Sequence, residues 1–110
     1  MRRLLLIPLL FILVGCSNVT DKHDFKEALD ALEASIQIED WKVIEEHAKA
    51  IKSQYEHSKW KLQLLGDEDE YESLQESINH LVHAANTKDK SDLGKEITTI
   101  KTYLEQIYSL

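Results

Sequence analysis

The chain of 110 residues contains one cysteine, one proline and three glycines. Because Cys16 is the only thiol, the chain cannot form an internal disulfide bond. Pro8 and Gly15 precede it, so Gly66 and Gly94 are the only strong helix breakers in the rest of the sequence. So few breakers predict long helices joined by few turns.

Positive charge is also scarce, with 13 Lys and Arg residues against 20 Asp and Glu residues and a net charge of −7. Cationic surface supplies much of a protein's affinity for nucleic acids and for anionic lipids. The composition therefore predicts that the chain has no nucleic-acid partner.

The sequence lacks the motifs of several enzyme classes. It has no Gly-rich phosphate loop, no GxSxG nucleophile elbow, no HExxH zinc motif and no Cys/His nucleophile pair. Its many carboxylates lie mostly outside the apolar helix positions described below, as expected for solvated helix faces. We therefore expect a non-enzymatic protein with no catalytic residues and no cofactor.

The N-terminus has the layout of a secretory signal peptide. Arg2 and Arg3 are followed by an apolar run over residues 4–14 that contains Pro8. This run is shorter than the roughly 20 residues that span a bilayer. An uncleaved transmembrane helix and an ordinary signal peptide are the alternatives to the more specific interpretation that follows.

The stretch Leu13-Val14-Gly15-Cys16 resembles the lipobox of bacterial lipoproteins, in which the Cys is lipidated and begins the mature chain. The resemblance implies that residues 1–15 are a cleaved lipoprotein signal peptide. Residues 16–22 would then be the lipidated Cys and a polar tether, and residues 23–110 the folded domain. Acyl chains such as palmitate on Cys16 would hold the protein at the extracytoplasmic face of the cell membrane.

Four segments repeat apolar residues at steps of three and four, which places them on one face of a helix. The pattern predicts an all-α, antiparallel up-down-up-down four-helix bundle. A more extended pair of hairpins, or a dimer formed through the second helix, is the alternative. The four apolar stripes are Phe25, Leu29, Leu32 and Ile36; Trp41, Ile44, Ala48, Ile51, Tyr55, Ser58, Leu62 and Leu65; Tyr71, Leu74, Ile78, Leu81 and Ala85; and Leu93, Ile97, Ile100, Leu104 and Ile107.

Polar residues stand where the helices are expected to begin. Asp21 or Asp24 is expected to cap the first helix, Asp40 the second, and Asp89 or Ser91 the fourth. Aligning Asp40 with Asp89 also brings the apolar stripes into register at an offset of 49 residues. The offset indicates either two copies of one helical hairpin or a coincidence of heptad patterns, because 49 is a multiple of seven.

Glu76, His80 and His83 lie at steps of four and three on one face of the predicted third helix. This spacing could bring several ligands to one metal ion, but a usual site needs three or four protein ligands with supporting residues. A solvated flank of the helix is the plainer interpretation. A small-ligand-binding or metal-binding lipoprotein is therefore kept as the alternative function.

His57, Trp60 and Leu64 share one face of the second helix, away from its apolar stripe, and we call these three residues the Trp60 patch. One interpretation buries Trp60 against the corner between the second and third helices, because Trp is largely buried in most proteins. The other leaves the patch exposed as a docking site for a protein partner, because Trp is frequent at interface hot spots.

Several short features punctuate the helices: the turn Glu39-Asp40-Trp41, the second tryptophan Trp60, the acidic turn after Gly66, and the stretch Thr87-Lys88-Asp89-Lys90. With these features, residues 25–107 resemble a family of small helical proteins of Gram-positive bacteria that is known only as a domain of unknown function. The resemblance implies an N-terminal anchor followed by amphipathic helices, and it brings no activity or ligand.

Together these observations predict a lipid-anchored, non-enzymatic helical protein at the bacterial membrane. Its expected role is that of a protein-interaction or scaffold module, and the sequence does not identify its protein partner.

Overall fold

The computed structural model describes the backbone of residues 17–109 and the side chains of residues 22–109. The predicted signal peptide and Cys16 lie outside the described residues. Four helices make up the described part of the chain: α1 (Ser17–Gln37), α2 (Trp41–Leu65), α3 (Glu68–Asn86) and α4 (Lys90–Ile107). The described part of the chain has no strand, so the predicted all-α class is confirmed.

Each helix packs against the next one along the chain, and α1 also contacts α4. Lys22 near the start of α1 lies 3.7 Å from Glu105 near the end of α4. Glu39 after α1 lies 3.0 Å from Lys90 at the start of α4. The two helices are therefore antiparallel, and the chain forms the predicted up-down-up-down bundle. We call the end where α1 begins and α4 ends the proximal end, and the other the distal end.

The apolar stripes meet in one core at the centre of the bundle. Trp41 and Leu65, at the two ends of α2, are only partly buried against this core. Burial of each large apolar side chain contributes about 1.5–3 kcal/mol to folding. The buried residues that the sequence pattern predicted are Phe25, Leu29, Leu32, Ile36, Ile44, Ala48, Ile51, Tyr55, Ser58, Leu62, Leu74, Ile78, Leu81, Ala85, Leu93, Ile97, Ile100, Leu104 and Ile107.

Helix α1 begins earlier than the sequence predicted. The sequence predicted a polar tether over residues 16–22 and a helix start near Asp21 or Asp24. In the structure the helix already includes Ser17. No Gly or Pro interrupts the chain between Ser17 and Asp24, so nothing in the backbone chemistry stops the helix from extending. The helical region therefore includes most of the segment that was predicted to be a tether.

The two distal turns share one geometry. The Asp40 carboxylate accepts a hydrogen bond from the Val43 N–H, and the Asp89 carboxylate accepts one from the Asp92 N–H. These are the N-caps that the sequence predicted for α2 and α4. The caps lie 49 residues apart and occupy equivalent places in two helical hairpins, α1–α2 and α3–α4.

The turn between α2 and α3 lies at the proximal end, beside the end of α4. A Cβ atom on Gly66 would lie 2.9 Å from Cγ1 of Ile107. The φ of Gly66 is −109°, which any residue can adopt, so glycine is needed here for the close approach. The Asp67 N–H donates to Glu70 Oε1 at 2.9 Å and secures the start of α3.

Candidate functional site

The Trp60 patch lies on the outward face of α2, opposite the buried residues Tyr55 and Leu62. The Trp60 residue is 60% exposed and Leu64 is 76% exposed. His57 is exposed as well. Trp60 is therefore exposed, and the interpretation that buries it in the corner between α2 and α3 is wrong.

Trp60 and Leu64 occupy a part of α2 that has no helical counterpart in the second hairpin, whereas His57 corresponds to Gln106 of α4. Helix α2 has 25 residues and α4 has 18, and both begin directly after an equivalent Asp cap. The final seven residues of α2 therefore extend it by about 10 Å. Trp60 and Leu64 lie on this extension, and at the 49-residue offset Trp60 corresponds to the exposed Ser109. The repeated core pattern thus does not account for the patch.

The patch is at the proximal end of the bundle. Trp60 lies 19 residues after the start of α2 at Trp41, and Asn18 lies 19 residues before the end of α1 at Gln37. Because α1 and α2 are antiparallel neighbours joined by a short turn, Trp60 and Asn18 stand at the same height, about 28 Å from the distal turn. Leu64 lies about 6 Å further along α2 in the proximal direction.

Charged residues stand next to the patch and follow it along the chain. The Lys61 ammonium lies 5.5 Å from the centroid of the Trp60 ring, within the range of a cation–π interaction. The acidic start of α3 follows α2 directly, with Asp67, Glu68 and Asp69 all exposed. The arrangement is a small apolar surface with a polar rim, and it can contact a partner without disturbing the core.

A second unusual group is Glu96, a carboxylate between α3 and α4. The residue is only 8% exposed, and its Oε2 atom accepts no hydrogen bond from the described residues. The Nδ1 atom of His80 on α3 lies 4.0 Å from this Oε2 atom. The Nε2 atom of His80 is 4.0 Å from Glu76 Oε1. His80 therefore lies between two carboxylates, Glu76 and Glu96.

The structure brings together two of the three weak metal candidates. Glu76 and His80 are neighbours. The third ionisable side chain beside them is Glu96 of α4 and not the predicted His83. His83 is exposed in the last turn of α3. Within residues 22–109, no group of three or more His, Cys, Asp or Glu side chains has the geometry to hold a metal ion.

Sequence reasoning missed Glu96, although a signal for it exists. Glu96 is three residues after Leu93 and four before Ile100, so it falls on the same helix face as two stripe residues. A carboxylate within an apolar stripe is a buried-charge signal. The sequence alone could not show that His80 approaches it from the neighbouring helix.

Residues 17–110 match the family described as "Domain of unknown function (DUF4363)". The chain belongs to the DUF4363 family. No curated protein and no solved structure matches it. The match confirms the resemblance to a domain of unknown function, and it covers all four helices of the DUF4363 bundle.

In this DUF4363 bundle, ion pairs bridge α1 and α4. The Lys101 ammonium on α4 donates to Glu33 at 2.7 Å and to Asp30 at 3.0 Å, both on α1. The hydrogen bond that Lys101 donates to Glu33 is the largest cause that raises the pKa of Lys101 above its ordinary value, and the hydrogen bond to Asp30 adds to it. The charged form of Lys101 therefore fastens the first helix of the DUF4363 domain to the last.

Proposed function

We propose that this protein is a lipid-anchored, non-enzymatic helical module that holds or meets a protein partner at the outer face of the bacterial membrane. One observation carries the proposal. The four apolar stripes are used up in a single closed core, yet Trp60 and Leu64 remain outside it, at the end of the bundle where α1 begins. These two side chains mark the end of the bundle that faces the membrane, and the outward polar faces of the helices are then the surface offered to a partner.

The anchor rests on the lipobox-like stretch Leu13-Val14-Gly15-Cys16, which ends one residue before α1 begins. A thiol is the side chain that can form a thioether with a diacylglycerol group, and two acyl chains hold a protein stably at a membrane. None of the helices in the described part of the chain combines the length and apolar character needed to cross a bilayer. A lipid on Cys16 is the means of attachment that we propose.

The hollows on the bundle favour a contact module over a ligand-binding one. Ligand pockets usually enclose about 300–1,000 Å³ and are largely apolar. Two hollows between α1 and α4 measure about 70 and 300 Å³. They are separated by Lys101, which bridges the two helices. A larger hollow of about 550 Å³ lies along α2 alone and is open to solvent, so it does not enclose a ligand; it is lined by Lys49, Lys52, Ser53, Glu56 and His57.

The anchor is tested by metabolic labelling of cells with a radioactive fatty acid, comparing the full-length protein with its Cys16→Ser variant. We expect the wild-type protein to carry the label and to sediment with membranes. The variant should be unlabelled and should leave the membrane fraction. A labelled Cys16→Ser protein would show that the lipid is attached elsewhere and would overturn the anchor.

The contact role is tested against the alternative of ligand binding. Native membranes are treated with a cross-linker, and we expect the anchored protein to form one discrete adduct that the Cys16→Ser variant does not form. In parallel, divalent metal ions and a panel of small molecules are added to the purified protein while its melting temperature is measured. A ligand that binds the folded state at 100 times its Kd stabilises it by about 2.7 kcal/mol. A rise in melting temperature that corresponds to a stabilisation of this size would favour the ligand-binding alternative.

A further inference from the structure

We propose that the Trp60 patch inserts into the headgroup interface of the bilayer and gives the protein a second membrane contact beside its lipid. This inference rests on the proposed anchor at Cys16. The bilayer, rather than a protein, is the occupant that the position, size and composition of the patch favour.

The position of the patch is the first argument. Trp60 stands at the height of Asn18, two residues from the proposed lipid attachment point. The pair Lys22–Glu105 and the close approach of Gly66 to Ile107 place all four helices at this same proximal end. Leu64 reaches about one helical turn beyond the height of Asn18. A lipid on Cys16 would therefore hold Trp60 and Leu64 close to the membrane surface.

The chemistry of the patch is the second argument. Tryptophan is enriched at membrane–water interfaces because its ring is apolar while its indole N–H remains hydrated. Leu64 adds an aliphatic group one turn further towards the lipid. Lys61, whose ammonium lies 5.5 Å from the Trp60 ring centroid, has a long apolar stem that can pass along the interface while its charge stays in water.

The size of the patch is the third argument. A stable protein–protein interface buries about 800 Å² on each partner and draws on some 20–30 residues. Among the side chains of residues 22–109, two large apolar ones are exposed at this end, Trp60 and Leu64, and the third exposed large apolar residue, Ile38, lies at the distal end. Two side chains are too few for an independent protein interface, but they are sufficient to reinforce an anchor that already holds the protein at the surface.

The neighbouring charges indicate the lipid class. Asp67, Glu68 and Asp69 lie exposed at the same end of the bundle and would be repelled by anionic headgroups within about a Debye length. Lys61 offsets only part of this negative charge. The patch should therefore prefer a zwitterionic surface, such as phosphatidylcholine, over a strongly anionic one.

The two tryptophans make the proposal measurable, because they lie at opposite ends of α2, about 28 Å apart. The full-length lipidated protein is reconstituted into phosphatidylcholine vesicles whose acyl chains carry bromine, a short-range quencher of Trp fluorescence. A Trp41→Phe variant reports on Trp60 alone, and a Trp60→Phe variant reports on Trp41 alone. We expect brominated lipid to quench Trp60 by at least half and to leave Trp41 unchanged.

A Leu64→Ser substitution in the Trp41→Phe background separates insertion from folding. Leu64 is 76% exposed, so this variant should keep the circular dichroism and melting temperature of its parent. It should nevertheless lose a large part of the Trp60 quenching. Vesicles with a high content of anionic lipid should also quench Trp60 less than phosphatidylcholine vesicles do.

The outcomes distinguish this inference from the proposed function. If the protein floats with the vesicles but Trp60 is quenched no more than Trp41, the bilayer contact is wrong while the anchor stands. If Trp60 is unquenched in pure lipid but becomes shielded in native membranes, the patch belongs to a protein partner and the inference is also overturned. If the protein does not float with the vesicles, both the anchor and the inference fail.

Discussion

Glu39 and Lys88 adopt the same left-handed backbone conformation, with φ angles of 54° and 58°, at positions 49 residues apart. Each donates its N–H to a carbonyl three residues earlier, at 3.1 Å to Ile36 and at 3.3 Å to Ala85. Coinciding heptads would bring the apolar stripes into register, but they would not also reproduce this turn. The two helical hairpins are therefore structurally equivalent in their turns as well as in their cores.

The shared turn predicts that Lys88→Gly stabilises the protein. A left-handed conformation costs a residue with a side chain about 1–2 kcal/mol relative to its ordinary conformation, and glycine avoids most of this strain. We expect the free energy of unfolding, measured with urea, to rise by about 1 kcal/mol. The matched control is Lys95→Gly in the regular interior of α4, which should lower it by about 1 kcal/mol. A loss of stability in Lys88→Gly would contradict the strain argument.

Two glycines should respond in opposite directions to alanine. In Gly66→Ala the new Cβ atom would meet Ile107 Cγ1 at 2.9 Å, so the end of α4 must shift, and we expect a loss of about 1–3 kcal/mol. Around Gly94, within α4, a Cβ atom would meet nothing within 4 Å. Gly94→Ala should therefore gain about 1 kcal/mol from helix propensity. Thermal unfolding followed by circular dichroism measures the stability of both variants. Shifts of the melting temperature in the same direction would contradict the different roles given to the two glycines.

The buried carboxylate of Glu96 predicts a stabilising substitution. A buried polar atom without a hydrogen bond costs about 1–3 kcal/mol, and an apolar side chain of similar size avoids this penalty. We expect Glu96→Met to raise the free energy of unfolding by about 1 kcal/mol. Glu105→Met on the exposed side of the same helix should change it by less than about 0.5 kcal/mol. A decrease in Glu96→Met would mean that the contact with His80 contributes more than the burial costs.

Tyr55 predicts how stability depends on alkaline pH. The residue is 1% exposed, and its hydroxyl donates to the Tyr71 carbonyl oxygen at 3.4 Å. Burial, followed by the nearby charge of Glu56, raises the pKa of Tyr55 from 10.0 to about 12. The folded state holds this proton more tightly than the unfolded state, so its contribution is complete below pH 10 and is lost as the pH rises towards 12. The loss amounts to about 3 kcal/mol.

The Tyr55→Phe variant isolates this effect from the other groups that titrate in the same range. We expect wild type and variant to differ by about 1 kcal/mol or less at pH 8, because the hydrogen bond is long. Between pH 10 and 12 the wild-type protein should lose more stability than the variant. Urea unfolding at a series of pH values gives both curves, and curves that stay parallel up to pH 12 would rule out the raised pKa.

The sequence predicted the bundle because its main determinants are local and periodic. The stripe positions from Phe25 to Ile107 specify which faces meet, and Asp40 and Asp89 specify where two helices begin. The start of α1 was predicted less well, because a capping residue such as Asp24 competes with an uninterrupted run of helix-compatible residues. A capping residue sets the start of a helix only where the residues that precede it favour another conformation.

The candidate site was only partly predictable, because exposure and cross-helix proximity depend on how the helices pack. Periodicity placed Trp60 and Leu64 on one face of α2, but the pattern did not decide whether the corner between α2 and α3 would cover that face. The neighbourhood of Glu96 and His80 likewise depends on the register between α3 and α4, which a pattern along a single helix does not contain.

The continuous course of α1 from Ser17 has a mechanical consequence. Tension applied at the start of α1 runs along the helix axis, parallel to its packing against α2 and α4. The core contacts of α1 and the ion pairs of Lys101 with Asp30 and Glu33 then resist the force together, in shear, instead of opening one after another. A bundle held at the start of α1 and pulled from its distal end is therefore loaded along α1.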